Sequence, residues 1–200
     1  MKPDLLQSII DAPRVHARWL NTLSYLENCG ARKIARCQHP MLVREEMLKH
    51  AAEEFRHAHH LKKQIRKVSD EPLYDYHSRF MLGGWATAHY LNQLDLQACR
   101  YLSKTMLKDQ TTALAYLLVT YVIELRAEEL YLLYDQCLRK CGCKVAIKCI
   151  FLEEKEHLEE MKNRLNQVVG GFLHADAVKA MEQQIYQKWI QGIEKEVRTQ

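Results

Sequence analysis

Apolar residues recur at helical spacing along most of the chain, and the breaks between the stripes divide it into helices. Leu20, Leu23, Gly30 and Ile34 form a first stripe with Glu27 in its middle. Pro13 suits the first helical position and Pro40 bars simple continuation, so a helix is predicted from about 13 to 37. Val43, Met47, Ala51, Ala58, Leu61, Ile65 and Val68 form a second stripe, predicting a helix from about 41 to 68 that ends at Ser69-Asp70-Glu71-Pro72. Residues 77–106 read as a long helical segment, with Gly83 and Gly84 as a kink or close-packing point. The stretch from about Thr111 to Cys141 is apolar nearly all round between Leu114 and Leu125, which predicts burial on more than one side; it stops at Gly142. Ile147, Ile150, Met161, Leu165 and Val168 predict a helix from about 145 to 168, ended by Gly170-Gly171. Val178, Met181, Ile185, Trp189, Ile193 and Val197 predict a last one, about 174–198.

Helices therefore come as two pairs joined by a long crossover, with a C-terminal helix added. The expected fold class is all-α, one domain over residues 1–200, with a four-helix bundle over about 13–168. Composition agrees: 7 Gly and 4 Pro leave long stretches without breakers, and 48% apolar residues can enclose a core.

Each pair carries the same chemistry. The first helix has one inward Glu (Glu27, then Glu124), and the second has Glu-x-x-His (Glu54 and His57, then Glu154 and His157). A lone Glu-x-x-His carries no information in a chain with 10 His. Four acids and two imidazoles on the apolar stripes of four helices are a different matter. A buried ionised carboxylate costs several kcal/mol, in round figures, unless it is paired or bound to a cation. Arg56 lies two positions from Glu54 and so points elsewhere on its helix. Residues i and i+3 share a helical face, so Glu54 with His57 could contact one ion and Glu154 with His157 another, with Glu27 and Glu124 bridging or capping the pair. Carboxylate and imidazole donors suit iron or manganese better than a thiolate-preferring structural zinc.

The pattern Glu27, Glu54-x-x-His57, Glu124, Glu154-x-x-His157 resembles the ferritin-like di-iron carboxylate superfamily. The resemblance implies an up-down, up-down bundle with one long crossover and a dinuclear centre in its core. It implies these six residues as metal ligands and catalytic groups, and two iron ions as cofactor, with manganese or a mixed pair as alternatives. Dioxygen would be co-substrate of an oxygenase or oxidase acting on a small-molecule or lipid-like substrate beside the metals, under the crossover segment. An electron-donor reductase would be needed, since no flavin or nicotinamide motif is visible. Iron or peroxide handling is the alternative; a plain storage cage is disfavoured by the 70 residues between Glu54 and Glu124, and the complete rubrerythrin type by the absence of paired Cys-x-x-Cys. A non-enzymatic metal-binding interaction protein is the third class. Glu-Glu-x-Arg-His at 53–57 looks like the Asp-Glu-x-Arg-His form of di-iron hydroxylases, with Glu53 in place of that Asp.

Other residues have two readings each. Glu53 and Glu153 could orient the imidazoles or be surface acids. His50, one turn before Glu54, could be a ligand, a partner of one, or a core histidine. Glu128 could be an extra ligand, and Tyr121 could hydrogen-bond a ligand, hold a radical or simply pack. His16, His39, His59 and His60 read as surface groups; Trp85, Tyr90, Tyr101 and Tyr116 read as crossover packing rather than a substrate box. Seven Cys, an odd number inside helices, argue against a disulfide framework; Cys137, Cys141 and Cys143 crowd one helix end and could bind a soft metal or be ordinary thiols. No membrane span or signal peptide is expected, and the chain reads as cytoplasmic. The net charge of +4 gives nucleic acid only weak support in the absence of a basic run, and a homodimer is compatible with everything above.

Overall fold

The structure, a computed structural model, describes residues 1–39, 41–105 and 108–199, and the side chains of these other than 108–111. Seven α-helices and no strand occur among the described residues: α1 (Pro3–Asp11), α2 (Pro13–Cys37), α3 (Glu45–Gln64), α4 (Gly84–Thr105), α5 (Lys108–Lys140), α6 (Lys148–Leu165) and α7 (Gly171–Arg198). The expected breaker Pro40 and the expected crossover end Met106 lie outside the described residues.

The pairing follows the stripes. α2 packs along α3 and α5 along α6, while α4 lies against α5 and α7. Leu20, Leu23, Glu27, Ala31 and Ile34 form the buried row of α2; Ala51, Glu54, His57, Ala58 and Leu61 form that of α3. α5 touches α1, α4, α6 and α7, which is why it has no polar face over its middle turns. Trp19 of α2 stacks on Trp189 of α7 at 6.0 Å between centroids and meets Tyr134 of α5 edge-on at 6.2 Å.

Several expected boundaries move, each for a local reason. The N-terminal segment is itself a helix: Pro3 occupies its first turn, and Leu5, Leu6, Ile9 and Ile10 bury one face. Ala12, held extended before Pro13, separates it from α2. α3 starts at Glu45, not Met41; Met41, Leu42 and Val43 are exposed although apolar, so the stripe extrapolates too far. α3 also ends earlier, at Gln64, and passes into a 3₁₀ turn over Ile65–Lys67. Gly83 and Gly84 do not kink a helix. They precede or begin α4 with φ of 74° and 44°, and the Gly83 N–H donates to Glu196 Oε2 of α7 at 2.9 Å.

The end of α5 is as the sequence implies. Gly142 adopts φ 65°, its N–H reaches the Arg139 carbonyl at 3.1 Å, and Cys143 N–H reaches Leu138 at 2.9 Å, the paired bonds of a Schellman stop. Among the described residues no helix is long and apolar enough to cross a membrane.

Candidate metal centre

Four helices deliver the six predicted side chains to one place. Glu27 comes from α2, Glu54 and His57 from α3, Glu124 from α5, and Glu154 and His157 from α6, all buried. Buried His50 joins them. They divide into two overlapping sets: Glu27, Glu54, His57 and Glu154 in one, and His50, Glu54, Glu124 and His157 in the other. Within each set, one ligand atom per residue lies within 4.8 Å of the rest.

This grouping differs from the helix-local expectation. Glu54 belongs to both sets: its Oε1 is 3.5 Å from His50 Nε2, 3.6 Å from His157 Nδ1 and 3.9 Å from His57 Nδ1. Glu154 also faces both rings, with Oε1 2.9 Å from His57 Nδ1 and Oε2 3.9 Å from His157 Nδ1. Glu54 and Glu154 are thus central, and Glu27 and Glu124 flank them. The i,i+3 rule puts each Glu and His on a common face, but the inter-helix approach decides which pairs meet.

The outer edges of the imidazoles are held by crossed partners. His57 Nε2–H donates to Glu153 of α6 at 2.7 Å, and His157 Nε2–H donates to Glu53 of α3 at 2.9 Å. Each motif's additional acid therefore orients the other motif's ring, leaving both Nδ1 lone pairs aimed inward. Arg56 reaches Glu153 on the outside of the cluster.

The inner atoms are short of donors. Glu54 Oε1, Glu154 Oε1, His57 Nδ1 and His157 Nδ1 are buried with no hydrogen-bond partner. His57 Nδ1 and Glu154 Oε1 are close enough to bond, yet with Nε2 carrying the ring proton both are acceptors. Protons alone can balance this charge. Burial first, and then the Glu54 and Glu154 charges, raise the Glu27 carboxyl well above the usual range against the opposing hydrogen bond from Tyr131. Burial, then Glu154, does the same to Glu124. Burial pulls the His157 pKa down, but the Glu154 charge and the hydrogen bond to Glu53 outweigh it and take it up to about 9. Cations between the acceptors would replace those protons, and the donor set of carboxylates and imidazoles with no thiolate fits hard to borderline divalent ions.

The remaining candidates fall elsewhere. Glu128 is half-buried and outside both sets. Tyr121 packs edge-on against Phe172 at 6.1 Å. His16 is not a surface group: it is buried against the Tyr134 hydroxyl at 2.5 Å, and burial pushes its pKa down to about 4. His60 is half-buried and donates to the Ala146 carbonyl at 2.6 Å, whereas His39 and His59 are exposed. Trp85 is exposed rather than packed, stacked on His89, while Tyr90 is buried. Cys137, Cys141 and Cys143 are free and belong to no ligand group among the described residues.

One contributor escaped the sequence reading, and a second was read only as a stripe position. Tyr131, fully buried, donates its hydroxyl to Glu27 Oε1; it sits seven residues after Glu124, on the same face, which was the available signal. Gly30, one turn after Glu27, keeps room for Glu54: a Cβ there would lie 3.2 Å from Glu54 Oε2.

On the side of Glu54 and Glu124 a cavity of about 550 Å³ opens beneath α4, with Ile34, Leu91, Val119 and Ile123 among its walls. A smaller pocket of about 70 Å³ follows behind it, reaching Glu27, Tyr131 and Trp189. Both are lined by Gly30, Glu54, Leu91, Ile123 and Glu124. No family model, curated protein or solved structure compared with the chain matches it.

Proposed function

We propose that this chain is a ferritin-like dinuclear carboxylate protein that activates dioxygen to oxidise an organic substrate. The observation that carries the reading is the set of four inward acceptor atoms without partners, on Glu54, Glu154, His57 and His157. They are flanked by two further buried acids, Glu27 and Glu124, and their rings are fixed from outside by Glu153 and Glu53. An arrangement that leaves acceptors facing acceptors is costly as a bare core and reasonable as a cation cage.

Glu27, Glu54, His57 and Glu154 would hold one ion, and Glu54, Glu124, His157 and His50 the other. Two ions of iron, or of manganese, or one of each, would when bound supply the two electrons that dioxygen reduction requires. The chain's own residues do the rest. Glu53 and Glu153 keep the ring tautomers that present Nδ1 inward. Tyr131 holds Glu27 by its hydroxyl and can return a proton to that carboxylate. The aliphatic part of the cavity wall would limit water near the acids and hold a substrate beside Glu54 and Glu124. That cavity favours oxygenase or oxidase chemistry over ferroxidase or storage, which needs no room for an organic molecule. The electrons would come from a separate reductase.

Anaerobic titration of metal-depleted protein with Fe(II) should reach two ions per chain, and admission of oxygen should give a single-turnover absorbance transient. Glu124→Ala should abolish the transient and keep the helical circular dichroism. Many irons per chain inside a large shell would instead indicate storage, and no stoichiometric binding would sink the proposal.

A further inference from the structure

The larger cavity is polarised along its length. Its inner end is Glu54 and Glu124, beside two more buried acids. From Glu124 it follows α5 back to Thr112, twelve residues and about 18 Å of helix. The wall between is mainly aliphatic, from Ile34, Leu91, Val119 and Ile123. The outer rim is charged: Lys33 and Arg36 on α2, Asp95 on α4. Lys33 forms an ion pair with Asp95, while exposed Arg36 has no ion pair among the described residues, so these three groups leave a net positive charge at the mouth. Tyr116 also lines the wall, and its hydroxyl is buried with no hydrogen-bond partner.

We propose that this cavity receives an elongated amphiphile with an anionic head, the head at Arg36 and the apolar body running inward to Glu54 and Glu124. Desolvation sets the direction: an ionised head at the buried inner end would lose its water where the lining offers no lysine or arginine, whereas at the rim it stays hydrated beside Arg36, which has no ion pair among the described residues. An aliphatic body matches the wall, and a carboxylate or phosphate head matches the planar donors of Arg36. The body's inner end would then be the part exposed to oxidation, a consequence that rests on the dinuclear reading above; the binding itself does not.

The wild-type protein provides a direct test, because exposed Cys37 and Cys99 both line this cavity near its mouth. Purified protein is titrated anaerobically with dodecanoate, dodecanol and dodecyltrimethylammonium by calorimetry, and thiol alkylation is followed residue by residue in mass spectra. Metal content is measured on the same sample. Dodecanoate should bind once per chain, at least tenfold more tightly than the alcohol and more tightly still than the ammonium. It should slow alkylation of Cys37 and Cys99 at least severalfold, leaving exposed Cys141, at the end of α5, unchanged. Arg36→Glu should erase the preference for the carboxylate, and Val119→Phe should weaken all three probes. Equal affinity for the three probes, or saturable binding without protection of the two thiols, overturns the proposal. Should Val119→Phe fail to fold, the wild-type footprint still decides. Two metals bound without dodecanoate binding would remove this inference alone; dodecanoate binding without metals would remove the dinuclear reading alone.

Discussion

One buried ion pair ties α7 to α5, and breaking it should be costly in a calculable way. Glu182 of α7 is 1% exposed. Arg126 of α5 donates to it twice, from Nε at 2.9 Å and from Nη2 at 2.8 Å, and Tyr90 of α4 donates its hydroxyl to the same carboxylate. The guanidinium also lies 3.8 Å from the ring centroid of Tyr186, whose hydroxyl accepts from the Met1 amino group at 2.7 Å. Arg126→Met keeps most of the stem and removes every donor. It strands a carboxylate with Tyr90 as its one remaining partner, at a cost of about 3–5 kcal/mol. For a chain of this length that corresponds to a fall in melting temperature of roughly 6–20 °C. Arg126→Met/Glu182→Leu removes both charges and should recover part of the loss, since the Coulomb gain of a buried pair is largely offset by its desolvation, and should stop about 1–3 kcal/mol short of the wild type because the Tyr90 hydroxyl loses its acceptor. Urea denaturation of the four proteins of the cycle, followed by both circular dichroism and tryptophan fluorescence, measures the coupling. A loss below about 1 kcal/mol for Arg126→Met, or a double variant no more stable than the single one, would refute the reasoning. Metal uptake by the double variant should stay at the wild-type value, because neither side chain belongs to the centre.

Metal-free protein should lose stability as pH rises. The His57 pKa is raised and that of His157 reaches about 9, so their protonated forms contribute stability in full below the unfolded value near 6.5, and that contribution is lost as pH passes about 9. For His157 it amounts to about 3 kcal/mol; melting curves between pH 6 and 9.5 should show the fall with chelator and a weaker one with metal, and a rise in the chelated protein would contradict the assignment. Glu53→Gln and Glu153→Gln should each weaken metal affinity about 10–100-fold in competition with a chelator, and unchanged affinity would mean that these acids do not orient the rings. Gly171→Ala should cost about 1–3 kcal/mol in thermal melts, because its Cβ would lie 2.5 Å from the Leu165 carbonyl oxygen; a neutral result would show that the turn between α6 and α7 can yield.

Helical class and the four motif-bearing stripes were legible in the sequence because burial of one helix face leaves a period that needs no partner to be seen. Glu27, Glu54, His57, Glu124, Glu154 and His157 stand on those stripes, and an acid on an apolar stripe announces a compensating charge whatever the packing. The ends of helices were less legible: Met41, Leu42 and Val43 continue the pattern of α3 yet stay exposed, since apolarity permits burial without causing it. Only the tertiary structure decided that Glu53 serves His157 and Glu153 serves His57, that Glu54 is common to both sets, and that His50 stands among the candidate ligands. Those relations join residues up to about a hundred positions apart across helix contacts, and no periodicity within one helix encodes the angle at which it meets the next. The same holds for His16, whose surroundings come from α5, and for the cavity, whose walls belong to four helices.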